Sequence, residues 1–160
     1  MNPIAWLIGL ALPACGFPGA AGLPTPTVLD VAHIVRPASP NTALAAPAGF
    51  SPVPDIVTLT YPLPADRLFA LVQDVAASQP RTFQAALFAD QLQVHYVVRS
   101  AVLNFPDQIM VQVRQAGADY SALIVYSRSV YGRSDFGVNR KRIESWLDDL
   151  RTKTPSTSER

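Results

Sequence analysis

Apolar positions along this chain switch from a period of two to a helical period and back again. Ile56 to Tyr61, IVTLTY, alternates and is rich in β-branched residues, which predicts a strand. Leu68, Leu71, Val72 and Val75 then recur at i, i+3, i+4 and i+7, one stripe of a helix that Pro64 opens and Pro80 limits. Alternation returns in Thr82 to Phe88 and Gln91 to Arg99, which predict a hairpin turning at Ala89-Asp90. Gln108 to Arg114 and Ser121 to Val130 predict another around Ala116-Gly117-Ala118-Asp119. A last helix is expected from an N-cap at Ser134 or Asp135 to about Arg151, with Phe136, Ile143, Trp146, Leu147 and Leu150 as its stripe.

This order, β-α-β-β-β-β-α, predicts an α+β domain over residues 55–151, a mostly antiparallel sheet of about five strands with two helices on one face. Alternation sends Leu92, Val94, Tyr96, Val98, Ile109, Val111 and Val113 toward the helices. The opposite face then shows Gln93, His95, Arg99, Gln112 and Arg114, and is expected to be solvated. If Leu123 and Val125 point inward, Tyr126 and Arg128 join that cationic face.

The front of the chain has another character. Residues 1–29 contain no Asp, Glu, Lys or Arg, and IAWLIGLAL from Ile4 to Leu12 is apolar throughout. A spanning helix needs about 20 apolar residues, so residues 1–22 are expected to form a signal peptide or lipoprotein leader. Leu12-Pro13-Ala14-Cys15 resembles a bacterial lipoprotein processing box, which makes Cys15 a candidate for lipidation. Gly19-Ala20-Ala21 is a rival cleavage point, and an uncleaved anchor a further alternative. Eight of the 15 prolines fall between Gly16 and Pro54. Residues 23–54 are therefore expected to be a Pro-rich linker without a central strand, of which 36–50 lie along the domain. Residues 152–160 are expected to be a disordered tail.

A length of 160 residues suits one domain. The net charge of +1 gives no global field to draw the chain onto nucleic acid, and the single cysteine excludes an internal disulfide. Local charge is a different matter. Arg128, Arg133, Arg140, Lys141 and Arg142 surround the start of the last helix, answered only by Asp135 and Glu144. Cations in a first turn oppose the helix dipole at about 0.3 to 1 kcal/mol each. Helix-local forces therefore do not explain them. Asn139 also falls on the apolar stripe, where an unsatisfied amide costs about 1 to 3 kcal/mol. Ser127, Ser129 and turn carbonyls are its nearest candidate partners.

Ser127-Arg128-Ser129, Gly132, Asp135, Gly137, Asn139, Arg142 and Ile143 together resemble the signature of the bacterial family called domain of unknown function 1499. The resemblance extends through Pro40-Asn41, Pro80-Arg81-Thr82, Arg99-Ser100 and Phe105-Pro106-Asp107, so that it covers the chain from Arg36 to Leu150. Gln108 departs from the pattern, standing where members often carry a second aspartate. The resemblance implies a small, often exported domain without assigned chemistry.

A strand ending in Arg128, a turn, and a helix start with free N–H groups make the geometry of an anion site, and guanidinium forks suit carboxylate or phosphate. The candidate ligand-binding residues are Arg99, Arg128, Arg133, Ser134, Asp135, Asn139 and Arg142. The competing reading is an internal clasp, with Arg128 or Arg142 paired to Asp135 or Asp107 and Asn139 stitching the turn. Gly132 to Gly137 has the glycine spacing of a P-loop, but Val138-Asn139 replaces the required Lys and Ser/Thr. No GxSxG elbow and no metal-ligand cluster is present in the sequence. The expected function is a non-catalytic binding module of the cell envelope, periplasmic or membrane-anchored through Cys15. Its partner would be a small anionic ligand or an envelope protein, with no cofactor, metal or nucleic acid. The alternatives are a purely structural envelope protein, or an enzyme using Asp135 or His95.

Overall fold

Both expected hairpins form in the computed structural model, which describes residues 12–154. The apolar run before residue 12 and residues 155–160 of the predicted tail lie outside the described residues, while Thr152 and Lys153, expected in that tail, extend the last helix. The elements are β1 (Thr42–Pro47), β2 (Ile56–Thr58), β3 (Thr60–Tyr61), α1 (Ala65–Ser78), β4 (Thr82–Phe88), β5 (Gln93–Arg99), β6 (Pro106–Gln115), β7 (Ser121–Ser129) and α2 (Val138–Lys153). They build an α+β fold on one seven-stranded sheet of order β2-β1-β7-β6-β5-β4, with β3 also pairing β7.

Two strand expectations are corrected. The predicted strand Ile56 to Tyr61 breaks at Leu59 into β2, which runs parallel to β1, and β3, which runs antiparallel to β7. The sheet is therefore mixed. Second, the supposed linker holds β1, an interior strand between β2 and β7. Pro40 precedes β1 and Pro47 is its last residue, so the prolines bound the strand without removing a ladder N–H from its middle. Its core is made of small residues: Ala43 and Ala45 face the helices, while Leu44 and Ala46 face the other side, all 0–1% exposed. Average composition concealed this short run.

The helix-side core forms as the alternation predicts. Val94, Tyr96, Val98, Ile109, Val111, Val113, Leu123 and Val125 meet Leu68, Val72 and Val75 of α1 and Ile143, Trp146, Leu147 and Leu150 of α2. Burying one such large side chain is worth about 1.5 to 3 kcal/mol. Tyr96 and Trp146 meet edge to face at 5.8 Å. Phe136 does not join them. It is 89% exposed because α2 begins at Val138, beyond it, with Gly137 in the left-handed region at the cap (φ 78°).

The opposite face is not solvated as expected. Val31, Ile34 and Leu29, from the Pro-rich segment, pack on Leu44, Ala46, Met110, Ile124 and Tyr126 to form a smaller second core. Gln93 is wholly buried on this face, its amide accepting from the Leu29 N–H (2.7 Å) and donating to the Leu29 carbonyl (2.9 Å). The segment thus acts as a covering layer. Deleting residues 1–50 removes β1 and exposes both cores, so that chain is expected to lose its cooperative thermal transition. A cooperative transition within a few degrees of the full chain would show that β1 is dispensable.

Candidate functional site

The residues expected around the last strand, turn and helix do converge, and they bond mainly to one another. Asn139, in the first turn of α2, is wholly buried. Its Nδ2 donates to Asp135 Oδ2 (2.7 Å), Ser129 Oγ (3.0 Å) and the Asn41 carbonyl (3.0 Å). Its Oδ1 accepts from the Ser127 hydroxyl and from Arg142 Nη1 (2.8 Å). Arg142 then reaches Asp107 on β6 at 2.5 Å, with the two side chains 14% and 13% exposed. Asp135 stands two residues before the N-cap Gly137 and caps from there, accepting the Gly137 N–H (3.0 Å) and the Asn139 N–H (2.8 Å). The network ties β1, β6, β7, the turn and α2 at one point. Arg133 and Ser134 stay exposed on the turn, and Arg140 pairs at the surface with Glu144 at 2.9 Å.

Arg99 lies elsewhere, at the end of β5 on the opposite face. It is 2% exposed. Its guanidinium donates to main-chain carbonyls of Ala14 (2.5 Å), Ala21 (2.7 Å), Gly19 (2.8 Å) and Asn104 (3.2 Å). The Asn104 amide adds bonds to the Cys15 (2.7 Å) and Phe17 (3.0 Å) carbonyls, and Tyr131 Oη accepts the Ala14 N–H (3.1 Å). Carbonyl dipoles, not a carboxylate, hold this buried cation. The Cys15 thiol beside it is wholly buried, and that burial raises its pKa against the opposing pull of Arg99.

Arg128 also faces away from the helices. Its Nε and Nη2 donate to Gln108 Oε1 at 3.0 and 2.7 Å. Both residues line a cavity of about 510 Å3 between the sheet and residues 20–35, together with Tyr126, Met110, His95 and Val97. Tyr126 is 7% exposed, and its hydroxyl is buried without a hydrogen-bond partner. Burial raises the Tyr126 pKa, opposed by Arg128 and Arg36. His95 contacts Gln93 Oε1 at 2.9 Å and meets Phe88 edge to face. Burial lowers its pKa to about 4, so it is neutral at pH 7.

A family model described as a protein of unknown function (DUF1499) matches residues 35–150. The chain belongs to the DUF1499 family. No curated protein matches it. The matched span of this DUF1499 chain includes β1 and the whole Asn139 network, while Ala14, Gly19 and Ala21 on Arg99 and residues 23–29 over the cavity precede it.

The predicted set therefore divides. Asp135, Asn139 and Arg142 act together, Arg133 and Ser134 stand at the surface nearby, and Arg99 and Arg128 occupy the other side of the sheet. Asp135 and His95 are not brought together: one caps α2, and the other lies in the cavity wall. Among the described residues no group of three or more His, Cys, Asp and Glu side chains could hold a metal ion, and no helix is long and apolar enough to cross a membrane. Sequence reasoning missed the cavity, whose roof was read as linker. The signal for it was the match between an uncharged segment and the apolar open-face positions Met110 and Ile124.

Arg142→Ala is expected to cost about 3 kcal/mol in urea titration, the low end for breaking a buried pair, because Asp107 is left uncompensated. The double variant with Asp107→Ala should lose less than the sum of the single losses. The His95 shift sets a second expectation. Between pH 6.5 and about 4 the unfolded chain binds a proton that the folded chain refuses. This contribution to stability is full above pH 6.5 and declines as pH falls toward 4. His95→Gln should flatten that part of the stability profile, and an unchanged slope would refute the assignment.

Proposed function

We propose that this DUF1499 chain is a non-catalytic binding module of the cell envelope, and that its anion-recognising residue is Arg128 on the open face. The turn before α2 is the weaker site, since its carboxylate, amide and Arg142 guanidinium already answer one another. Arg128 is held by a neutral amide, so its charge is not cancelled there. The observation that carries the reading is the Arg128 guanidinium in the wall of the 510 Å3 cavity, answered there by the Gln108 amide oxygen alone. A ligand carboxylate or phosphate would meet that charge with a charge-assisted hydrogen bond. The envelope location rests on the uncharged apolar N-terminus; Cys15, wholly buried beside Arg99, is not used as a lipid anchor in this reading.

The Arg142–Asp107 pair favours a second, structural reading for the opposite corner. The two readings use different faces and predict different variants. In a thermal-shift series with acetate, hexanoate and inorganic phosphate, the wild-type chain should be stabilised with the logarithm of ligand concentration. Arg128→Gln should abolish the shift while keeping the melting temperature of the unliganded protein. Equal shifts in wild type and Arg128→Gln would remove Arg128 from the ligand site.

A further inference from the structure

The cavity beside Arg128 is graded across the strands that floor it. Arg128 on β7 stands opposite Gln108 on β6, which stands opposite Val97 on β5. In the adjoining row Tyr126 stands opposite Met110, and Met110 opposite His95. Beyond β5 lies β4, where Ala85 falls in a register shift between Gln84 and Ala86 and also lines the cavity. The floor therefore carries its charge at β7, a neutral amide and a thioether at β6, Val97 and the neutral His95 at β5, and Ala85 at β4. At ~4.8 Å between strands, the distance from β7 to β4 is about 14 Å.

The roof is uncharged and stiff. Leu23, Pro24, Thr25, Pro26, Thr27 and Val28 form it, from a stretch without a charged residue. Both ends of the roof are pinned to the same face of β5, at Arg99 through Gly19 and Ala21, and at Gln93 through Leu29. Those anchors stand about 20 Å apart at ~3.3 Å per strand residue. The chain from Ala21 to Leu29 reaches about 25 Å as a polyproline II span. So little slack, stiffened by two prolines, keeps the roof from sagging onto the floor. The space beneath it, about 510 Å3 and partly open to solvent, falls within the ~300 to 1,000 Å3 of small-molecule sites.

The geometry points to an amphiphile as the ligand: one anionic head against Arg128, and one apolar chain running beneath residues 23–29 toward Ala85. This rests on the assignment of Arg128 as the anion-recognising residue and adds the chemistry of the remainder of the ligand. The shared chemistry, an acyl chain with a carboxylate or phosphate head, belongs both to a free fatty acid and to a membrane lipid.

Calorimetric titration of the full chain with hexanoate, octanoate, decanoate and dodecanoate, each below its micelle concentration, tests the assignment. The Kd is expected to fall about fourfold per added methylene while space remains. Ala85→Phe, which fills the far end, should erase the gain for the longer chains and leave hexanoate unaffected. A Kd that is flat along the series overturns the acyl chain, and the loss of hexanoate binding in Arg128→Gln would still uphold the anion site. Chain-length dependence that persists unchanged in Ala85→Phe also overturns the assignment, because the chain would then lie elsewhere. Sedimentation with phosphatidylglycerol vesicles carrying dodecanoate separates the sources: laurate recovered with protein in the supernatant supports a free amphiphile, and protein retained on the vesicles supports a bilayer lipid.

Discussion

Everything in this fold depends on how a fully buried amide at Asn139 is satisfied. Its oxygen and nitrogen are shared among β7, the turn, α2 and the chain entering β1, and through Arg142 the network extends to β6. An apolar residue at that position could pack, but it would give up the bond that ties α2 to the chain entering β1. Buried polar networks act cooperatively, so partial satisfaction is worse than none. This explains why Arg142 is tolerated against the α2 dipole: it is fixed by tertiary partners whose contribution outweighs an unfavourable local field of about 0.3 to 1 kcal/mol.

A consequence of that anchoring is a sheet with two unlike faces. One is a conventional core beneath two helices. The other is dressed by chain that carries almost no regular structure, short 3-10 turns at Pro13–Gly16 and Val31–His33 being its described helical elements. Such a layer cannot satisfy its own main chain, and Gln93, Arg99 and Asn104 do so from the domain side. Their bonds reach backbone atoms, so the covering segment is selected for being apolar and small more than for particular side chains. The space beneath it follows from a stiff span laid over a twisted floor.

The β-α-β-β-β-β-α skeleton was legible because period two and period 3.6 leave unmistakable marks on Val94 to Val98 and Leu68 to Val75. The inward phase of β7 could be resolved once Leu123 and Val125 were assigned to the core. What escaped was β1, since TALAAP carries little β-branched character and is bracketed by prolines that dominate any local average. Asp107 as the partner of Arg142, and Ser127 and Ser129 as partners of Asn139, were foreseeable because strand ends and helix starts meet there. The Arg99 partners were not. Ala14, Gly19 and Ala21 offer main-chain carbonyls about eighty residues away, and a carbonyl has no signature in an amino-acid sequence.

Arg99 gives the front of the molecule an unusual dependence. Its charge is solvated from within by the peptide groups of residues 14, 19 and 21. Any maturation event that cuts the polypeptide after Ala21 would strip away this internal solvent and leave the guanidinium facing water beside Asn104. Trimming would then work as an unmasking reaction, converting an electrically silent corner of the sheet into a bare cation and releasing one end of the span above the open face.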